Sequence, residues 1–364
     1  MKTLSFARRG LPLALALLCS APAFSASPYM AMPLKYQQHN LVSDGAVPAH
    51  HTDPNLVNAW GIAFNPFGPV WIADNGSGVS TLYDGLGNIV PLVVDIPTSD
   101  SSSGGAVTGT VYNGSQGFTV SKGALTGPAV FLFDSEDGMI SGWAPNVDST
   151  HAIKAVDHSR RHAIYKGLAL SGNGSGARLY ATDFHNNRVE VFDANFHPVM
   201  LAFGAFRDPQ IPTGYAPFGI QNINGDLYVT YAKQDADRED DVPGPGFGYV
   251  DIYDPDGRLL RRFASQGALN APWGIALAPA GFGRASGRLL IGNFGDGRIN
   301  AYDFASGMPV GPLGDAKGNP IQIEGLWGLA FGNGYSSQSV NSLYFTAGPN
   351  DESDGLYGRL DPAK

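Results

Sequence analysis

A glycine placed just before a short apolar run recurs six times along this chain, and this repeat restricts the possible folds more than any other feature. The clearest copy is residues 270–277, Asn-Ala-Pro-Trp-Gly-Ile-Ala-Leu. The copies lie 50 to 56 residues apart and are marked by Gly61, Gly117, Gly167, Gly219, Gly274 and Gly328. A repeat of about fifty residues is typical of a propeller or a solenoid.

Four short strands are predicted within each repeat. The glycine-led run is the first, and the second ends in a small or polar residue, as in residues 70–74 (Val-Trp-Ile-Ala-Asp). The third strand alternates apolar and polar residues and ends in an aromatic residue followed by Asp, as in residues 250–254. A Gly-rich turn then leads to the fourth strand. Alternation with aromatic and β-branched residues is typical of strands. Four antiparallel strands repeated six times predict an all-β, six-bladed β-propeller.

The two ends of the chain are expected to meet in the last blade. The sixth repeat supplies only three good strands, whereas residues 36–42 read as a strand without a blade. We therefore expect this early strand to close the ring as the outer strand of the last blade, the alternative being a decorative N-terminal arm. The predicted domain is residues 36–364, preceded by a linker at residues 26–35.

Residues 1–25 have the pattern of a signal peptide that is removed after export. Lys2, Arg8 and Arg9 precede an apolar run, and small residues follow it. Removal would take away these three cations and no acid, so the formal net charge of −9 becomes more negative. This acidic balance argues against nucleic acid as a partner. No apolar run reaches the roughly 18 residues that would suggest a membrane span.

The single cysteine of the chain, Cys19, lies within the predicted signal peptide. The exported protein would then contain no thiol, which excludes a disulfide scaffold, a zinc–thiolate site and a thiol enzyme. Ring closure and packing must then stabilise the fold.

The glycines that lead the inner strands have a steric explanation. Inner strands crowd around a narrow axis, and glycine lets neighbouring backbones approach. An aromatic residue precedes four of these glycines, and we expect it to pack between blades, the alternative being a ring that stacks on a ligand. These residues are Trp60, Phe218, Trp273 and Trp327.

Polar side chains are concentrated in the loops that should surround one mouth of the central channel. Ligand sites on repeat folds are usually found on such faces. A bound cation there, calcium or zinc, would use carboxylate, amide and imidazole ligands. The candidate metal ligands are His51, Asp74, Asp183, His185 and Asn293, although an Asp or Asn in such a loop also serves as a turn cap. Lys166, Trp273 and Glu324 are the further candidates for contact with a ligand.

Four segments resemble an uncharacterised family of exported bacterial propellers, many of whose members carry a C-terminal PEP-CTERM sorting tail. They are residues 40–44, 53–61, 71–75 and 271–274. The chain departs from many members because residues 360–364 contain no sorting motif, so a periplasmic or secreted protein is expected. More distantly, the blades are similar to NHL-repeat propellers, a group that includes amidating lyases, lactonases and binding scaffolds.

Two functions follow as hypotheses, because a fold alone does not choose an activity. The first is an exported scaffold that binds a small molecule or an envelope or extracellular partner at its polar mouth. The second is a metal-dependent hydrolase or lyase in which a divalent cation polarises a carbonyl or activates water.

Overall fold

The computed structural model describes residues 34–363, which form strands, turns and two short 3-10 turns at Ser159–Arg161 and Gly283–Ala285. The predicted signal peptide and residues 26–33 of the predicted linker lie outside this range. Leu34 and Lys35, the last two linker positions, belong instead to a strand. Within the described range, no helix has the length and apolar character needed to cross a membrane.

The strands succeed one another in groups of three or four. The chain begins with β1 (Leu34–Ser43) and the short β2 (His51–Thr52). The first sheet contains β3 (Ala59–Phe64), β4 (Val70–Asp74), β5 (Val79–Tyr83) and β6 (Ile89–Asp95). The second contains β7 (Val107–Tyr112), β10 (Phe131–Ser135), β11 (Met139–Trp143) and β12 (Ile153–Asp157), and a separate hairpin of β8 (Thr119–Lys122) and β9 (Leu125–Pro128) lies between β7 and β10 in the chain. The third contains β13 (Tyr165–Gly172), β14 (Ala177–Asp183) and β15 (Arg188–Asp193).

The second half of the chain continues the same pattern. The fourth sheet contains β16 (Tyr215–Ile223), β17 (Asp226–Lys233), β18 (Tyr249–Tyr253) and β19 (Leu259–Ser265). The fifth contains β20 (Pro272–Leu277), β21 (Arg288–Asn293), β22 (Ile299–Asp303) and β23 (Pro309–Gly314). The sixth contains β24 (Leu326–Phe331), β25 (Leu343–Ala347) and β26 (Leu356–Pro362). Successive strands within each sheet pair antiparallel.

The first strand of the chain is the fourth strand of the sixth sheet. β1 pairs antiparallel with β26 from Tyr36 opposite Pro362 to Ser43 opposite Leu356. Its first two residues also pair with the end of β23, Leu34 with Leu313 and Lys35 with Gly314. The N-terminal strand thereby links the fifth and sixth sheets through backbone hydrogen bonds.

The glycine-bearing first strands of the sheets lie next to one another. Each contacts the next in chain order, and β24 contacts β3. A Cβ atom on Gly61 would lie 2.6 Å from the carbonyl oxygen of Thr108, and one on Gly328 would lie 2.6 Å from that of Trp60. Glycine is therefore required for this close backbone approach, as the sequence predicts.

The second inner strand is not where the sequence analysis put it. It is β7, whose glycine is Gly109, whereas Gly117 lies in the loop before the β8–β9 hairpin. The physical reason is burial. Residues Val107–Thr110 of β7 are all buried, but Val120 is the one buried residue of β8. Threonines flank Gly109 on both sides, so this strand has no apolar run of the kind that identifies the other first strands.

The hydrophobic core lies between neighbouring sheets. Between the first and second sheets, Trp71 stacks on Phe131 with ring centroids 4.1 Å apart and also contacts Trp143. Between the fourth and fifth sheets, Ile252 belongs to the same buried cluster as Ile291. Burial of these faces from water is the main stabilising contribution to such an arrangement.

Candidate functional site

Aromatic rings fill the space at the start of the first strands. Trp60 stacks on Trp327 with centroids 3.5 Å apart, and Trp273 and Phe218 meet Trp327 edge-on at 5.7 Å and 5.9 Å. These side chains belong to different sheets and contact one another, which agrees with the prediction that they pack between blades. With two further rings they form what we call the central aromatic cluster: Trp60, Phe184, Phe218, Trp273, Phe294 and Trp327.

Little open space exists between the first strands of the sheets. The cavity lined by the first-strand glycines has a volume of about 40 Å³, enough for about one water molecule. A larger ligand does not fit in this cavity.

Lys166 takes the position before the glycine in the third sheet, where four other sheets have an aromatic residue. Its side chain is almost completely buried. The ammonium group forms ion pairs with Glu136 and, at 3.1 Å, with Asp240. It also lies 5.2 Å from the ring centroid of Trp60 and 5.9 Å from that of Phe184, a cation–π arrangement.

Four carboxyl groups surround this lysine and come from three loops. Glu136 lies between β10 and β11, Asp240 and Asp241 lie between β17 and β18, and Glu352 lies between β25 and β26. We call these four residues the acidic cluster. Two asparagines hold it from the loops beside the first sheet: Asn75, just after β4, donates to Glu136 at 2.9 Å, and Asn58, just before β3, donates to Glu352 at 2.7 Å.

The electrostatic balance of this site is short of positive charge. Burial is the main cause that raises the pKa of Asp241 to about 7; Glu352 and Asp240 also act upward on this pKa, and Lys166 acts downward. Burial likewise raises the pKa of Glu352. For Lys166, burial lowers the pKa, but Glu136 and Asp240 more than offset this effect, so the net shift is upward. The lysine is therefore held in its charged form and is unsuited to act as a neutral amine nucleophile.

Two polar atoms of the site are buried without a hydrogen-bond partner among the described residues: one carboxyl oxygen of Asp241, Oδ2, and the indole nitrogen of Trp60. Buried polar groups are ordinarily paired, and an unpaired one is costly. The acceptor on Asp241 is thus available to a donor that enters the site.

The five predicted metal ligands occupy separate environments. His51 lies in β2 beside β1. Asp74, at the end of β4, accepts a hydrogen bond from Thr81 at 2.7 Å, and burial raises its pKa well above the ordinary range. Asp183 is paired with Arg188 at 3.0 Å.

The other two predicted metal ligands also have local surroundings. The His185 ring centroid lies 6.1 Å from that of His162. Asn293 donates to the carbonyl oxygen of Ala268, in the loop before β20, and to Asp296 in its own loop. Within residues 34–363, no group of three or more His, Cys, Asp or Glu side chains is arranged to hold a metal ion. Calcium or zinc binding by these five residues stays a prediction.

The structure brings together two of the three predicted ligand contacts. The indole nitrogen of Trp273 donates to the carbonyl oxygen of Lys166 at 2.8 Å, so both belong to the site. Glu324 is exposed and accepts a hydrogen bond from the backbone of Asn350, in the loop that carries Glu352. Its role in the structure is that of a loop support.

Glu136 is the site residue for which the sequence gave no indication. Glu136 follows β10 in the second repeat. Because the sequence predicts Gly117 rather than Gly109 as the inner-strand glycine of this repeat, the β10–β11 loop is not recognised as the equivalent of the same loop in other repeats. Correct placement of Gly109 would have put Glu136 in the same loop position as Asn75.

Comparison with known proteins places this arrangement among β-propellers. The chain is similar to the solved structures of streptogramin B lyase (13% identity, TM-score 0.52, covering 92% of this chain and 99% of that one) and glucose dehydrogenase (12%, 0.55, 90% and 100%). It is also similar to a Bacteroides thetaiotaomicron protein of unknown function (10%, 0.54, 91% and 75%). At these identities the likeness concerns the fold, which is a β-propeller built of antiparallel sheets.

Sequence comparison identifies relatives in a virus. No protein-family model matches the chain. Uncharacterized protein R648 of Acanthamoeba polyphaga mimivirus is 38% identical over 328 residues, which is 88% of this chain and 78% of that protein. Uncharacterized protein L690 of the same virus is 36% identical over 328 residues, 88% and 84% of the two chains. The bacterial family with sorting tails is not among these relatives, and that membership stays a prediction. The chain belongs to the protein family that includes mimivirus proteins R648 and L690.

Proposed function

We propose that the protein is a six-bladed β-propeller that binds a small organic cation at the loop side of its central aromatic cluster. The six-bladed, closed form of the ring is supported by two observations. The glycine of each first strand approaches the next first strand, including Gly328 toward Trp60. In addition, β1 completes the sixth sheet by pairing with β26.

The observation that carries the ligand class is the unpartnered oxygen of Asp241 inside the acidic cluster. Four carboxyl groups share one ammonium group there, and burial disfavours ionisation of two of them. A second cation with N–H donors would pair with Asp241 and Glu352 and would remove this imbalance.

An ammonium or guanidinium group suits this site better than a bare metal ion. The described carboxyl groups are not arranged as a metal-ligand set. Trp60 lies beneath the ammonium group of Lys166, and aromatic rings next to a site favour organic cations that are partly desolvated. A guanidinium group offers five N–H donors in a planar fork that matches carboxylates.

The test is calorimetric titration of the full chain with n-butylguanidinium and with its neutral isostere, n-butylurea. We expect binding of the cation alone, and we expect its affinity to rise between pH 6 and pH 8 as Asp241 ionises. Asp241→Asn and Glu352→Gln should each weaken binding about tenfold or more, the loss typical of a charge-assisted hydrogen bond. Asp237→Asn is the matched control, because it removes an exposed charge from the same loop.

Equal binding of the urea, or unchanged affinity in both site variants, would contradict the proposal. Titration with calcium and zinc chloride addresses the second hypothesis from the sequence, a metal-dependent hydrolase or lyase. Metal binding that is lost in His51→Ala and His185→Ala would favour that hypothesis over the organic cation.

Export to the periplasm or the exterior forms part of the same proposal. It depends on the predicted signal peptide, and an envelope or extracellular partner would then be accessible. Fractionation of cells that express the full chain, with and without residues 1–25, is the measurement that tests it.

A further inference from the structure

The third sheet lacks a regular fourth strand, which leaves the edge of β15 partly open. Residues 194–214 connect β15 to β16 and run alongside this edge. They pair with it at one isolated bridge, Phe192 with Pro198, and through a hydrogen bond from Val199 to Val191 at 2.7 Å. Beyond this point the connection moves away from the strand and encloses a pocket.

This pocket has the size and lining of a small-molecule site. Its volume is about 350 Å³, within the usual range for such sites. One wall is apolar and is contributed by β15 and by the connection: Val191, Phe192, Val199, Leu201 and Phe206. We call it the β15 pocket.

Charged groups lie at the other side of the β15 pocket. Its lining includes Arg161, Arg188 and Arg207 together with His158 and Glu190. Arg188 is ion-paired with Asp183 and Glu190. Arg161 and Arg207 are exposed, and their guanidinium groups have no partner among the described residues. In a chain of formal net charge −9, two uncommitted arginines at the edge of one pocket are unusual.

A hydrogen-bonded network fixes the polar side of the pocket. His158 is nearly buried, and its Nδ1 lies 2.7 Å from Glu190 and 2.9 Å from the hydroxyl of Tyr165. The Tyr165 hydroxyl also donates to Glu190. Because Nδ1 is engaged, Nε2 is the imidazole nitrogen available to a ligand. A rigid network of this kind holds side chains in place for recognition at little entropic cost.

We propose that the β15 pocket binds a small amphipathic carboxylate, with its apolar chain against β15 and its anionic head toward Arg161 and Arg207. Apolar contact supplies the affinity, and the arginines supply the preference for an anion. This site lies on the third sheet, uses none of the residues of the acidic cluster and does not depend on the proposed function above.

The probe is octanoate, titrated calorimetrically against the full chain, with octylammonium as a ligand of equal length and opposite charge. We expect octanoate to bind and octylammonium to bind at least about tenfold more weakly. Arg161→Gln and Arg207→Gln should each weaken octanoate binding about fivefold to tenfold, whereas Arg298→Gln, an exposed arginine on the fifth sheet, should not.

A second readout separates recognition from folding. Arg161 and Arg207 are exposed, so their variants should unfold at the same denaturant concentration as the wild type. Leu201→Glu places a negative charge on the apolar wall at a partly exposed position and should abolish octanoate binding without unfolding the protein. Absence of octanoate binding, equal binding of octylammonium, or an equal loss in Arg298→Gln would overturn the proposal.

Discussion

Substitution of Asp241 by asparagine should change how the stability of the protein depends on pH. Burial raises the pKa of this carboxyl to about 7 in the folded state, against an ordinary value of 3.8. Between these two values the folded protein holds a proton that the unfolded chain has lost. The group therefore makes the folded state less stable as pH rises toward 7, and the full loss persists above pH 7.

The magnitude follows from the width of this window. The loss is about 1.36 kcal/mol per pH unit for one proton, so from pH 5 to pH 7 it amounts to about 2.7 kcal/mol. Asparagine cannot ionise and resembles the protonated carboxyl in shape. Between pH 5 and pH 7, the free energy of unfolding of Asp241→Asn should therefore increase relative to that of the wild type by about 2.7 kcal/mol.

The assay is urea unfolding at pH 5, 6, 7 and 8, followed by the fluorescence of the five tryptophans. Other groups titrate in this range too, including Asp134 and Asp251, whose pKa burial raises to about 7 and about 6. The difference between wild type and variant removes their contribution. Asp237→Asn should give a curve parallel to that of the wild type. Parallel curves for Asp241→Asn and wild type would refute the assignment of a raised pKa to Asp241.

Two further predictions concern the closure of the fold. Gly328→Ala should lower the free energy of unfolding by about 1–3 kcal/mol, because its Cβ would lie 2.6 Å from the carbonyl oxygen of Trp60. Gly114→Ala is the control, since the nearest atom to its Cβ is a side-chain carbon 3.2 Å away, and equal effects would contradict the argument. Tyr36→Phe should cost about 1–2 kcal/mol in urea unfolding, because the buried Tyr36 hydroxyl donates to Phe282 and accepts from Ala285. The exposed Tyr335→Phe should cost nothing measurable, and an unchanged Tyr36→Phe would show that this link is dispensable.

The sequence predicted the repeating antiparallel sheets because glycine and alternating apolar residues are local features with a strict geometric cause. Five of the six marked glycines lie in first strands of the sheets, and residues 36–42 lie in a strand that pairs with β26. The prediction that Gly117 leads an inner strand is wrong, because a hairpin that covers the core also contains apolar residues. Val120 in β8 is buried against the second and third sheets. The sequence alone does not distinguish such a covering hairpin from an inner strand.

The candidate site was predicted less well than the fold, because its residues are brought together by loops from different sheets. Asp241 follows four other acidic residues in the insertion of residues 235–241, and sequence alone gives no reason why it is half-buried while Asp237 is exposed. Asp74 and Asp183, by contrast, were correctly recognised as polar ends of second strands. Asp183 accepts a hydrogen bond from the backbone of Asn186 in its own turn, as the turn-cap alternative predicts, whereas Asp74 accepts one from Thr81 in the neighbouring strand β5.

One comparison within the repeat would have located the site directly. The residues that precede the six first-strand glycines are Trp60, Thr108, Lys166, Phe218, Trp273 and Trp327. Five of these side chains are neutral, whereas Lys166 puts a charge into a position that is almost completely buried. A buried charge needs counter-charges, and the fold must supply them from whichever loops reach the same end of the axis. The departure of one repeat from the others thus required carboxyl groups such as Glu136 and Asp240 to lie nearby, and the excess of carboxyl groups over the single lysine is the basis on which we propose a second cation.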